Sequence, residues 1–117
     1  MLTVTKRMQK PVVPESMVLA QCMQYLYLKK IFAWRNNTGA AKTEDGRYVR
    51  FGLPGASDII GIMPDVRFLA VECKRSDGGR LSPQQKVFLD KIKEAGGVAV
   101  VAASLDDLRE AIEKNER

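Results

Sequence analysis

The sequence contains no histidine. That absence removes imidazole as a general base, a proton shuttle and a metal ligand. With it go Ser-His-Asp hydrolases, His-dependent nucleases and zinc sites built on imidazole. Cysteine is nearly missing too: Cys22 and Cys73 stand far apart and form no C-x-x-C pair. Neither a zinc knuckle nor a disulfide framework is expected, and such usage suits a reducing compartment. No apolar run approaches the roughly 20 residues that cross a bilayer. The basic opening with Lys6, Arg7 and Lys10 lacks the apolar stretch of a secretory signal, so a cytoplasmic protein without membrane association is expected.

What is present reads as one globular domain. A length of 117 residues with 45% hydrophobic and 28% charged content supports a genuine core without staples. Lys and Arg number 19 against 14 acids, for a net charge of +5. Residues 104–117 hold five acids and three bases, leaving 16 bases against 9 acids, or +7, on residues 1–103. Such an excess suits a polyanion such as nucleic acid, although solubility alone explains a charge of this size equally well.

Along the chain, residues 1–13 read as a flexible basic arm and residues 14–117 as a single domain. Pro14-Glu15 opens a helix whose apolar positions are Val18, Leu19, Cys22, Met23, Leu26 and Tyr27, closing at Lys29-Lys30. A strand is expected over 31–37, a polar loop over 38–46, and a short strand or hairpin arm over 47–51. Leu53-Pro54-Gly55 signals a type II turn. A buried strand over 58–63 turns at Pro64-Asp65 into an antiparallel partner over 67–74, and a flexible loop follows over 76–80. Ser82-Pro83-Gln84-Gln85 begins a helix as a capping box, with Val87, Phe88, Ile92 and Ala95 as its apolar stripe. Residues 98–102 form a fully buried strand, expected parallel to the 67–74 strand through a right-handed crossover. Ser104 and Asp107 form a second capping box before a final helix marked by Leu105, Leu108 and Ile112. The order implies a three-layer α/β sandwich, a mixed β-sheet flanked by helices.

Strand alternation sends Phe68, Ala70, Glu72 and Lys74 to one face. A carboxylate and an ammonium therefore leave a strand that otherwise looks buried, and buried charges need a pairing partner or a metal. Asp58 and Glu72, on adjacent strand ends, can share a hard divalent cation of the Mg2+ or Mn2+ type. Lys74 can orient or deprotonate an attacking water. Together these residue types suffice for metal-assisted phosphodiester hydrolysis, while a surface Glu72–Lys74 salt bridge is the plainer alternative. Glu15, on the helix face of Leu19, Cys22 and Leu26, reads either as a water-mediated third carboxylate or as simple helix-dipole stabilisation worth ~0.5 kcal/mol. Gln85 reads first as a capping residue. Arg35, Lys42, Arg47 and Arg50 cluster before Asp58 and can contact phosphate oxygens, or belong to an ordinary solvated loop. Trp34 reads as core. Gly39-Ala40-Ala41-Lys42-Thr43 lacks the first glycine and the strand–helix context of a P-loop.

These pieces, in order, resemble the VRR-NUC (virus-type replication-repair nuclease) domain of the PD-(D/E)xK superfamily. They are Glu15, Trp34-Arg35-Asn36-Asn37-Thr38-Gly39, residues 46–52, Pro54-Gly55-Ala56-Ser57-Asp58, Glu72-Cys73-Lys74, residues 79–85 and Gly96-Gly97. Pro54-Gly55 stands further from Asp58 than a literal Pro-Asp pair. The resemblance implies a restriction-endonuclease-like αβββαβ core and a Mg2+- or Mn2+-dependent, structure-specific DNA endonuclease with no small-molecule cofactor. It implies Asp58, Glu72 and Lys74 as the catalytic set, Glu15 as a supporting acid, Gln85 as a site-lining residue and the main-chain carbonyl of Cys73 as a further ligand. It also implies a homodimer that cuts branched DNA such as four-way junctions, of the stand-alone bacterial or phage type. A non-catalytic DNA-binding module retaining the nuclease fold is the main alternative. A protein-interaction factor acting through its acidic C-terminal helix is a third reading.

Overall fold

Burial on both faces sets one strand apart from all others: from Leu69 to Cys73 every side chain of β5 (Phe68–Cys73) is buried. This computed structural model describes residues 10–116, so most of the expected N-terminal arm lies outside the described residues. Beside β5 run β4 (Ile59–Ile62), antiparallel, and β6 (Val98–Ala102), parallel; β1 (Phe32–Arg35) pairs antiparallel with β4 and completes the order β1-β4-β5-β6. The parallel pair needs a crossover, and α2 (Pro83–Glu94) supplies it. With α1 (Glu15–Leu28) ahead and α3 (Leu105–Asn115) behind, the main sheet and its first two helices follow the αβββαβ order.

The two faces of β5 feed separate cores. Leu69, Val71 and Cys73 pack with Ile59, Val98 and Val100 against Val18, Cys22 and Leu26 of α1 and Leu108 and Ile112 of α3. On the other face Ala70 and Ile60 meet Leu89 of α2, with Phe88 and Ile92 half-buried beside them. The second core is the smaller because α2 packs mainly over β5 and β6. Phe32, Trp34, Ile62 and Phe68 share that face by register and remain exposed. Trp34 is therefore not core: it is 42% exposed and rests on Phe32, with ring centroids 5.3 Å apart. Val87 and Ala95 of the expected α2 stripe are exposed as well, and Val101 interrupts the expected full burial of β6.

The expected loop over 38–46 contains a strand. Residues Gly39–Lys42 (β2) pair with Tyr48–Phe51 (β3) in a separate two-stranded sheet inserted between β1 and β4. Gly-Ala-Ala-Lys has weak strand propensity and no alternation, so its pairing depends on β3 across the turn. Ser82 caps α2 as expected. In α3, Ser104 Oγ accepts from the Asp107 N–H at 3.2 Å, but Asp107 reaches back to the Ala103 N–H at 2.9 Å instead of to Ser104. Val13 and Ser76 exchange two hydrogen bonds, tying the chain ahead of α1 to the segment after β5.

Leu69 is fully buried in the larger core. Leu69→Ala is expected to cost about 3 kcal/mol in urea unfolding, the sum of lost transfer energy and a residual cavity. The exposed Val66→Ala is expected to change stability by less than about 0.5 kcal/mol.

Candidate active site

Residues Ile59↔Val71 and Ile60↔Ala70 pair across β4 and β5, so the next register position sets Asp58 opposite Glu72 on the α2 side. The Cys73 N–H donates to Asp58 Oδ2 at 2.7 Å, clipping this carboxylate to the β5 backbone. Asn36 holds the preceding chain: its N–H donates to the Asp58 carbonyl at 2.7 Å and its side-chain amide to the Ser57 carbonyl at 3.3 Å. Asp58 is half-buried, while Glu72 and Lys74 are 2% and 8% exposed.

Gln85 joins these groups, and its capping role is what positions it. Ser82 Oγ accepts from the Gln85 N–H at 3.1 Å, and Gln85 Oε1 accepts in return from the Ser82 N–H at 2.9 Å. The same Oε1 accepts from Lys74 Nζ at 3.0 Å, and Gln85 Nε2 donates to Glu72 Oε1 at 2.9 Å. Lys74 Nζ itself lies 3.7 Å from Glu72 Oε1, beyond hydrogen-bond range. The carboxamide thus holds ammonium and carboxylate in fixed relation, and both readings of Gln85, cap and site residue, describe one conformation.

Two close approaches keep this corner together. The Leu53 carbonyl accepts from the Ala56 N–H at 3.0 Å around Pro54 and Gly55, with Gly55 at φ 81°, the expected type II turn. A Cβ on Gly55 would lie 2.5 Å from the Gln84 carbonyl oxygen, so only glycine lets the Asp58 loop press on the first turn of α2. Gly79 lies against the Lys74 stem, where an added Cβ would come within 3.2 Å of Cδ. Asn36, Ser57 and Gly79 gave no chemical signal of their own in sequence. Asn36 is marked in the sequence only as part of the Trp34–Gly39 stretch that carries the family resemblance.

Burial, and then the Asp58 charge beside it, push the Glu72 carboxyl up to about 8; Lys74 opposes this and the Glu15 charge adds to it. Glu72 Oε2 is buried without a hydrogen-bond partner, as is Ser57 Oγ. Adjacent desolvated carboxylates with a free oxygen form a donor set suited to a hard divalent cation, which would favour the charged form that burial now opposes. Among the described residues no group of three or more acidic or thiol side chains converges for metal binding. Glu15 is exposed in the first turn of α1, felt by Glu72 electrostatically. Cys73 is engaged through its N–H, to Asp58.

The four basic residues expected before Asp58 do not form one cluster. Arg35 ends β1 opposite Ile59 and so leaves the sheet on the α1 side, away from the carboxylates. Arg47 is paired with Asp45 at 2.9 Å by the hairpin turn. Lys42 and Arg50 lie in the hairpin strands, both exposed. They belong to different elements: Arg35 to the main sheet, Arg47 to the hairpin turn, and Lys42 and Arg50 to the ribbon strands.

Three antiparallel strands followed by a parallel one, helices on both sides and acids at neighbouring strand ends make this a restriction-endonuclease-like α/β domain. The family model of the VRR-NUC domain matches residues 4–106, nearly the whole chain. The chain belongs to the VRR-NUC domain family, a nuclease-type DNA-processing domain, and placement in the PD-(D/E)xK superfamily is consistent with it. No curated protein and no solved structure gives a significant match.

Two outcomes test this geometry. Gly55→Ala is expected to destabilise the chain by about 2 kcal/mol or more in urea unfolding, from an unfavourable φ plus a backbone clash. In chelator, Glu72 favours its protonated form in the folded state, with its pKa raised from 4.5 to about 8. The associated stability is full below pH 4.5 and is lost as pH rises toward 8. Thermal melts from pH 5 to 8 should therefore show Glu72→Gln gaining on wild type as pH rises; parallel curves would refute the assignment.

Proposed function

We propose that the chain is a Mg2+- or Mn2+-dependent endodeoxyribonuclease that hydrolyses phosphodiester bonds in branched DNA, resolving four-way junctions as a homodimer in the cytoplasm. The observation that carries this reading is the buried, unpartnered Glu72 Oε2 beside Asp58, with Lys74 held alongside by Gln85. Asp58 and Glu72 would hold the divalent ion together with the Cys73 main-chain carbonyl, and Glu15 would act through water. A cation bound there supplies Lewis-acid activation of water and neutralises charge on the phosphodiester oxygens.

The chain's own groups do the rest. The Cys73 N–H fixes Asp58 Oδ2 on the β5 backbone, which sets this carboxylate beside Glu72. Gln85 holds Lys74 Nζ where it can orient the attacking water and meet the charge growing on phosphorus. Water adds to phosphorus, a P–O ester bond breaks, and the products are a phosphate monoester and a hydroxyl. A nuclease domain acts on DNA, so polymeric substrate accords with the basic excess of residues 1–103 in sequence.

The homodimer reading is supported by the bare sheet face carrying Phe32, Trp34, Ile62 and Phe68, each at least 40% exposed. Two-fold symmetry would place two sites for the two cuts that a junction needs. Among the described residues no helix is long and apolar enough to cross a membrane.

Lys74→Ala is expected to slow nicking of a labelled four-way junction at least about 100-fold while DNA binding is kept. Equal cutting by both proteins would end this reading. Binding without any cleavage by wild type, in either metal, would instead identify a DNA-binding module. Sedimentation at micromolar concentration should show a dimer, and a monomer would contradict junction resolution.

A further inference from the structure

The β2–β3 hairpin has no role in the chemistry above, and all eight residues of its strands are exposed. A lone two-stranded ribbon is marginal in water, so this arm draws little stability from packing. Its register sorts its side chains sharply. Lys42 pairs with Tyr48 and Ala40 with Arg50, which puts Lys42, Tyr48 and Arg50 on one face; Ala41, Val49 and Phe51 take the other. Among the described residues neither Lys42 nor Arg50 forms an ion pair, whereas Arg47 at the turn is occupied by Asp45.

Both ends of the hairpin meet at Asp58. The chain enters through Asn36, hydrogen-bonded to the Ser57 and Asp58 carbonyls, and returns through the Pro54-Gly55 turn that leads to Ser57-Asp58. At the root lies a cleft of about 330 Å³ lined by Thr38, Ala40, Arg50 and Pro54, among others. Arg50 thus stands between the arm and the loop that carries Asp58.

We propose that this hairpin is a DNA-holding arm that grips the phosphate backbone of the duplex beside the cut through its Lys42–Tyr48–Arg50 face alone. Lys42 and Arg50 supply charge to phosphates, and Tyr48 packs on the sugar edge. Because the arm is anchored at Asp58, the backbone it holds is delivered to the carboxylates. The inference rests on DNA being the substrate and deepens the nuclease reading by naming the surface that binds it.

The test measures binding of a labelled four-way junction in Ca2+ at several salt concentrations, so that affinity is read without requiring cleavage. The Lys42→Ala/Arg50→Ala double variant should lose about 10-fold or more in affinity, and its log K against log salt slope should shrink by about 2. Tyr48→Ala should weaken binding several-fold with the slope unchanged, and Arg47→Ala should have less effect than the double variant. Wild-type affinity and slope in the double variant would overturn the proposal. A second measurement uses the wild-type protein: bound DNA should protect Lys42 from acetylation, and unaltered modification would likewise overturn it. Hairpin-dependent binding without cutting in Mg2+ or Mn2+ would sink the nuclease reading alone; cutting with hairpin-independent binding would sink this inference alone.

Discussion

Everything at this site depends on how the fold tolerates the buried carboxyl of Glu72. A carboxylate on a strand with both faces covered loses its hydration, and its nearest acidic neighbour makes matters worse. The protein offsets part of that cost with one neutral group, the Gln85 carboxamide, which donates to Glu72 and accepts from Lys74. The offset is incomplete, since Glu72 Oε2 stays unpaired. An unpaired carboxyl oxygen beside a second acid is the feature on which the proposed metal-binding role rests.

Gln85 can play that part only because α2 begins where it does. Its first turn is stopped by Ser82, shaped by Pro83 and pressed by Gly55, and each contact limits where the carboxamide points. The candidate site and the helix cap thereby share one set of hydrogen bonds. Disturbing the turn at Gly55 therefore strains the fold and the site together. The same economy shows in Asp58, whose backbone carbonyl secures the end of β1 while its side chain secures β5.

Legibility varied with how local the cause was. The Glu72–Lys74 face followed from strand alternation, the Pro54-Gly55 turn from its dipeptide, and the start of α2 from Ser82-Pro83. Strand β2 was illegible because Gly-Ala-Ala-Lys carries neither alternation nor strand propensity; only pairing with β3 makes it a strand. Trp34 was misplaced because its residue type favours burial, while its neighbours in space leave it bare. The basic residues before Asp58 fall in one stretch of sequence but are divided among a sheet face, a turn and a ribbon.

The sequence by itself determined the elements whose signals repeat within a few residues: helices with caps, strands with a period of two, and acids at strand ends. Only the tertiary structure decided that Gln85 bridges Glu72 and Lys74, that Glu15 is exposed, and that half of one sheet face is uncovered. The reason is physical. Periodicity and capping are properties of consecutive backbone, whereas those outcomes depend on where α2 crosses the sheet, which is settled by packing between residues far apart in the chain.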